Sequence, residues 1–134
     1  MQDRRRPVVA VVDDDEAVRE SLRFLLDVAG YDAATFESAQ AYLNDATSQP
    51  ATCLVPATCL VVDQHMPQTT GLELLAMLRH RGISLPTALI TGSLSPDIVR
   101  QATALGVARV LEKPLADDAL LRFVACAASG VRMR

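Results

Sequence analysis

Five polar residues stand at the ends of short apolar runs. Asp13 and Asp14 follow Val8 to Val12, Asp63 follows Cys59 to Val62, Thr91 follows Thr87 to Ile90, and Lys113 follows Val107 to Leu111 after one intervening residue. Runs of this kind read as strands buried on both faces. In a parallel sheet whose strands alternate with helices, residues at the carboxyl ends converge on one edge, where ligands bind at a topological switch point. Three carboxylates, a hydroxyl and an ammonium would then share one cleft. Crowded carboxylates repel, and at least one takes up a proton unless a cation neutralises the group. A hard divalent ion meets that need, and Mg²⁺, which keeps several waters and pairs carboxylates with phosphate oxygens, fits best. With Lys113 as a second positive centre, the set suits phosphoryl transfer, where catalysis is mostly positioning and charge stabilisation.

The elements that must position these residues are legible in the pattern. After the acidic stretch, Val18, Leu22, Leu25, Leu26 and Ala29 form the stripe of an amphipathic helix, with Gly30 as its stop. Tyr31 to Phe36 is a modest strand, and Ser38 can cap a short helix containing Ala41, Tyr42 and Leu43. Beyond Asp63, a loop punctuated by Pro and Gly leads to a helix carrying Leu72, Leu75, Ala76 and Leu78. Ser95, Pro96 and Asp97 are a strong helix start, combining a capping hydroxyl, a proline at the first helical position and an acid at the positive end of the dipole. Ile98, Ala102 and Leu105 supply that helix's inner face and Gly106 ends it. Leu120, Phe123, Val124 and Ala127 mark a final helix. Five strands alternating with five helices predict a parallel α/β sheet covered on both faces.

Composition narrows the class. The chain has 134 residues, room for one domain, and is 50% hydrophobic but only 4% aromatic, so its core must be aliphatic. A net charge of -3 argues against nonspecific nucleic-acid binding. The apolar run after the basic start Met1 to Arg6 is too short for a targeting segment, and no stretch approaches the ~18 apolar residues of a membrane span. Cys53, Cys59 and Cys126 form no CxxC pair, and their odd number suits buried free thiols in a reducing cytoplasm. Residues 50–55 and 56–61 both read PATCLV. Only the second copy runs directly into Val62 and Asp63, and Pro56 would interrupt a strand spanning both, so the second copy is expected in the sheet and the first in the connection before it.

Four segments together resemble a known family. VVDDDEAVRESL from Val11, DQHMPQTTGLELL from Asp63, ITG from Ile90 and EKP from Glu112 are similar to the receiver domain of two-component response regulators. The resemblance runs over about residues 7–128 and implies a single receiver domain across 1–134, with no output domain in this chain. It implies the flavodoxin-like (βα)5 fold with strand order 2-1-3-4-5. It also implies roles. Asp63, followed by Met66, Pro67 and Gly71, is the phosphoacceptor. Asp13 and Asp14 bind Mg²⁺ together with Asp63 and the backbone carbonyl of His65. Thr91 hydrogen-bonds the acyl phosphate, and Lys113 pairs with it. The family's lysine–proline bond is usually cis, which Lys113–Pro114 permits. The implied partner is a sensor histidine kinase or a phosphotransfer protein, and the implied output is a change of surface conformation, with a homodimer through the fourth helix, fifth strand and fifth helix. Such a chain is not an enzyme beyond its own phosphorylation and dephosphorylation. It is expected to be cytoplasmic, with no direct contact to nucleic acid or membrane.

One departure from the family pattern is Val110, where receivers usually carry a Phe or Tyr that moves with the threonine. A receiver-like docking module that works without phosphorylation is therefore an alternative. A second alternative is a haloacid dehalogenase-type phosphatase using Asp13, whose signature Asp13, Asp15, Thr91, Lys113, Asp117 and Asp118 imitate. Asp15 and Glu16 more simply begin the first helix, Asp117 and Asp118 cap the last one, the His65 side chain is a solvated loop group, and His80 sits at a helix end suited to cations.

Overall fold

A computed structural model describes residues 6–48 and 57–129 of the chain. Ten elements alternate: β1 (Val8–Val12), α1 (Glu16–Val28), β2 (Asp32–Phe36), α2 (Ala39–Ser48), β3 (Cys59–Asp63), α3 (Gly71–His80), β4 (Thr87–Thr91), α4 (Pro96–Ala104), β5 (Arg109–Glu112) and α5 (Asp117–Ser129). The strands form one parallel sheet in the order β2-β1-β3-β4-β5, as expected.

Strand periodicity divides the core into two layers. Val9, Val11, Cys59, Val61, Ala88 and Ile90 face one side and pack with Leu22 and Leu26 of α1 and Leu120, Phe123 and Val124 of α5. Ala10, Val12, Leu60, Val62 and Leu89 face the other side, against Tyr42 and Leu43 of α2, the leucines of α3 and Ala102 of α4. Leu26, Leu60, Leu74, Leu75, Leu78, Leu89 and Leu120 are among the largest side chains withdrawn from water. Burying each contributes roughly 1.5–3 kcal/mol, so an aliphatic core suffices without tryptophan. Phe36 and Tyr42 add one edge-to-face contact, with ring centroids 5.3 Å apart.

Several boundaries differ from the pattern. β5 begins at Arg109 rather than Val107, because the Val107 N–H closes back on the Ala102 carbonyl at the end of α4 (3.0 Å) and the chain enters the sheet only after that turn. On α3, Leu74 is buried and Ala76 is exposed, so the buried face is broader than one stripe and centres elsewhere. Ala29 is the exposed C-cap of α1 rather than part of its inner face. Gly30 follows with φ 101°, a left-handed conformation that glycine adopts without steric cost. The second PATCLV copy enters the sheet from Cys59 onward, while the first copy, with Cys53, lies outside the described residues. Cys59 is buried and Cys126 only partly so. No described helix is long and apolar enough to cross a membrane.

Candidate functional site

Sheet register sets the site. Val12 pairs with Val62, so Asp13 and Asp63 emerge side by side, and Asp63 pairs with Ile90, one residue before Thr91. Thr91 in turn pairs with Glu112, one residue before Lys113, and the Lys113 N–H bonds the Thr91 carbonyl at 2.9 Å. Four residues far apart in sequence thus meet because the ends of adjacent parallel strands are level.

Asp13, Asp63 and Thr91 are almost wholly buried, at 2%, 3% and 0% exposure. Lys113 Nζ lies 3.4 Å from Asp63 Oδ1 and 4.0 Å from Asp13 Oδ2. Those two carboxylate oxygens have no hydrogen-bond partner. An unsatisfied buried carboxylate oxygen is costly, and one ammonium between two carboxylates leaves negative charge uncompensated. Burial pushes the Asp13 carboxyl above its ordinary range, and the charges of Asp63 and Asp14 add to the rise. The Asp15 N–H and Lys113 oppose it without cancelling it. The exposed Asp14 completes the group, with ligand oxygens of Asp13, Asp14 and Asp63 all within 4.8 Å of one another. Three carboxylates, two of them buried and each with an oxygen that lacks a hydrogen bond, fit a hard divalent cation.

The surrounding backbone is held from several sides. The Asp13 N–H bonds the Phe36 carbonyl at 3.0 Å, and Asp13 Oδ1 accepts from the Asp15 N–H at 2.9 Å. Arg19 of α1 donates to the Asp13 carbonyl at 2.8 Å. After Asp63, Gln64 Oε1 accepts from the Leu72 N–H at 2.9 Å, docking the start of α3 on the loop. α3 opens with a reciprocal capping box between Thr70 and Glu73. That box carries a sequence signal, a threonine with a glutamate three residues later. Arg19 and Gln64 carry none, since the spacing of a single polar residue does not reveal which carbonyl or N–H it meets. Gly71 sits so close that a Cβ there would stand 2.7 Å from the Asp63 carbonyl oxygen, which gives the glycine of this loop a steric reason.

The remaining candidates sort by position. Asp15 is the N-cap of α1, its carboxylate accepting from the Ala17 N–H at 2.9 Å. Asp117 and Asp118 lie inside the first turn of α5 rather than at the cap before it. None of these three joins the acidic cluster among the described residues. His80 ends α3 beside Arg79, which is occupied by the Leu105 and Ile83 carbonyls at 2.8 and 2.9 Å. The His65 ring is exposed but not merely solvated: its Nε2 lies 2.9 Å from Thr91 Oγ1. The Lys113–Pro114 bond is cis. Val110 is half-buried on β5 and packs against the α2, α3 and α4 layer.

The chain as a whole has relatives among known proteins. A family model described as the response regulator receiver domain matches residues 9–125. The transcriptional regulatory protein FixJ of Azorhizobium caulinodans is 40% identical over 116 residues, 87% of this chain and 52% of that protein. FixJ of Bradyrhizobium diazoefficiens is 36% identical over 116 residues, covering 87% of this chain and 54% of its own length. The crystal structure of FixJ-N superimposes with a TM-score of 0.80 at 31% identity, over 100% of both chains. The chain spans about half the length of the curated relatives it matches. A family match running from the first strand into the last helix, with a FixJ relative 40% identical over 87% of the chain, makes this chain a member of the response regulator receiver domain family of two-component systems.

Proposed function

We propose that the chain is a phosphoacceptor switch in which Asp63 takes a phosphoryl group from the phosphohistidine of a sensor kinase or a phosphotransfer protein. The observation that carries this reading is the buried Oδ1 of Asp63, which has no hydrogen-bond partner, lies 3.4 Å from Lys113 Nζ and shares that ammonium with Oδ2 of Asp13, itself without a hydrogen bond. An Asp63 carboxylate oxygen attacks phosphorus, the phosphorus–nitrogen bond of the donor breaks, and the imidazole leaves with its electron pair. Lys113 neutralises the charge of the transferring group, and the Thr91 hydroxyl donates to the resulting acyl phosphate. Asp13, Asp14, Asp63 and the His65 backbone carbonyl would hold Mg²⁺, which when bound supplies charge neutralisation at the phosphate oxygens. Asp13 would also keep the cleft electronegative enough to recruit that ion.

A donor protein has an apolar surface available beside the acceptor. A cavity of about 600 Å³ is lined by Ala17, Val18, Leu22, Phe24 and Leu115 together with Lys113, and Phe24 is 71% exposed. The output is a shift between two surface conformations, with homodimerisation through α4, β5 and α5 as its readout. Val110 lacks the bulk of an aromatic ring, so that readout is carried by other side chains. The proposed compartment is the cytoplasm, where kinase and receiver meet. As a unit, the chain acts as one receiver domain, about 7–128, with no part of its own in binding nucleic acid.

Incubation with Mg²⁺ and a small acyl-phosphate donor, read by intact mass, tests the reading. One added phosphoryl group is expected on the wild type and none on Asp63→Asn. Labelling that persists in Asp63→Asn and disappears in Asp13→Asn would indicate phosphatase-type chemistry instead. A wild type that stays unlabelled even with its kinase would be a docking module.

A further inference from the structure

We infer that the imidazole of His65 is a positioning residue for Thr91, a tether that holds the threonine hydroxyl in its resting place and must release it for the switch to complete. The inference rests on the reading of Asp63 as phosphoacceptor.

A hydroxyl has one proton and two lone pairs. The Thr91 hydroxyl meets three partners: the Ser93 N–H at 3.1 Å, the Ser93 carbonyl at 3.3 Å and His65 Nε2 at 2.9 Å. The Ser93 N–H can only donate and the Ser93 carbonyl can only accept. With Nε2 protonated, these two use one lone pair and the proton, and the remaining lone pair accepts from His65; with Nε2 unprotonated, the imidazole takes the proton in place of the Ser93 carbonyl. In either tautomer the proton of the resting hydroxyl is already committed. Among the described residues its bonds all lie within the loops after β3 and β4, and none reaches Asp63 or Lys113.

Donation to a phosphoryl oxygen on Asp63 requires the hydroxyl to turn. Thr91 is 0% exposed and β-branched, so its movement is a hop between discrete rotamers within close packing, not a gradual swing. The hop moves Oγ1 away from His65. Because His65 follows Asp63 by two residues on the β3–α3 loop, its bond to Thr91 clasps that loop to the end of β4 across the mouth of the site. The imidazole is exposed while the hydroxyl is buried, so release of the tether frees a surface side chain as the direct consequence of a buried event. Val110, pairing with Leu89 on the neighbouring strand, has no ring to perform that task.

Binding of beryllofluoride with Mg²⁺, a stable mimic of the acyl phosphate, is measured by titration for wild type, His65→Ala, His65→Gln, Thr91→Val and the double variant His65→Ala/Thr91→Val. Removing the tether is expected to tighten binding by about threefold to tenfold, the worth of one ordinary hydrogen bond. His65→Gln, which keeps a donor, should fall between wild type and His65→Ala. In the Thr91→Val background, His65→Ala should change nothing, because the imidazole acts only through the hydroxyl. Unchanged or weakened binding in His65→Ala, or an equal effect with and without the hydroxyl, overturns the inference. A resting-state measurement keeps it separate from the function proposed above: Thr91→Val should shift the Nε2 resonance of His65 in the unphosphorylated chain. No shift overturns the tether, whereas a wild type that binds no beryllofluoride but shows the shift overturns the phosphoacceptor reading alone.

Discussion

Replacing Gly71 by alanine drives a methyl group into the join between α3 and the loop that carries Asp63. A Cβ at this position meets the Asp63 carbonyl oxygen at 2.7 Å, Leu89 Cδ1 at 2.8 Å and Gln64 Cα at 3.1 Å. Two of these atoms are backbone, and Leu89 is fully buried. Relief requires α3 to lift from the end of β3. Overpacking of this kind costs about 1–3 kcal/mol, and the backbone contacts argue for the upper part of that range. Alanine's better helix propensity returns at most ~1 kcal/mol, leaving a net loss of ~1–2 kcal/mol. For a domain of this size each kcal/mol lowers Tm by roughly 3–4 °C, so Gly71→Ala should melt about 3–8 °C below wild type. In urea the midpoint should fall with an unchanged slope, since the unfolded surface is the same. Acceptance of a phosphoryl group should slow as well, because the displaced backbone belongs to the acceptor. Gly92→Ala is the control: its Cβ meets nothing within 4 Å, and its stability should stay within ~0.5 kcal/mol of wild type. A Gly71→Ala protein that melts at or above the wild-type temperature and labels at the wild-type rate would refute the close packing from which the loss is reasoned.

Three further outcomes are expected. Because burial raises the Asp13 carboxyl above the ordinary 3.8, the folded chain holds that proton more tightly than the unfolded chain. Asp13 therefore contributes stability below that value and loses it as pH rises through the raised one. Without divalent ions Asp13→Asn should melt above wild type at neutral pH, with the difference vanishing in acid, and added Mg²⁺ should stabilise the wild type and not the variant, as thermal scans across pH will test. Burial pushes the Cys59 thiol up to about 12, so in a Cys53→Ser background a thiol reagent at mild alkaline pH should modify Cys126 in the native chain and Cys59 only on unfolding. Thr70→Ala removes half of the α3 capping box and should cost about 0.5–2 kcal/mol in chemical denaturation.

The strands were legible because their chemistry is repetitive, whereas their order in the sheet was implied only by the family resemblance. A run such as Val8 to Val12 is apolar at every position, which a strand sandwiched between helices demands. The α4 start at Ser95, Pro96 and Asp97 was equally plain, since capping, a fixed proline φ and the dipole all act locally. Helix faces were harder. Leu74 and Ala76 could not be assigned to inside and outside from spacing, because the width of the buried face depends on how α3 lies across the sheet. β5 was displaced by two residues for a similar reason, a turn closed by the carbonyls of α4.

By itself the sequence determined which residues could do the chemistry: Asp13, Asp14, Asp63, Thr91 and Lys113 each end or follow an apolar run, and residue type with position in a repeating unit is local information. Only the tertiary structure decided how they meet. Parallel pairing levels Val12 with Val62 and Thr91 with Glu112, and this sets one ammonium 3.4 Å and 4.0 Å from two buried carboxylate oxygens that have no hydrogen-bond partner. The same is true of the His65 side chain, which by its sequence context is a solvated loop group. Its bond to the Thr91 hydroxyl spans 26 positions of chain, and contacts at that separation exist only once the sheet has set the ends of β3 and β4 side by side.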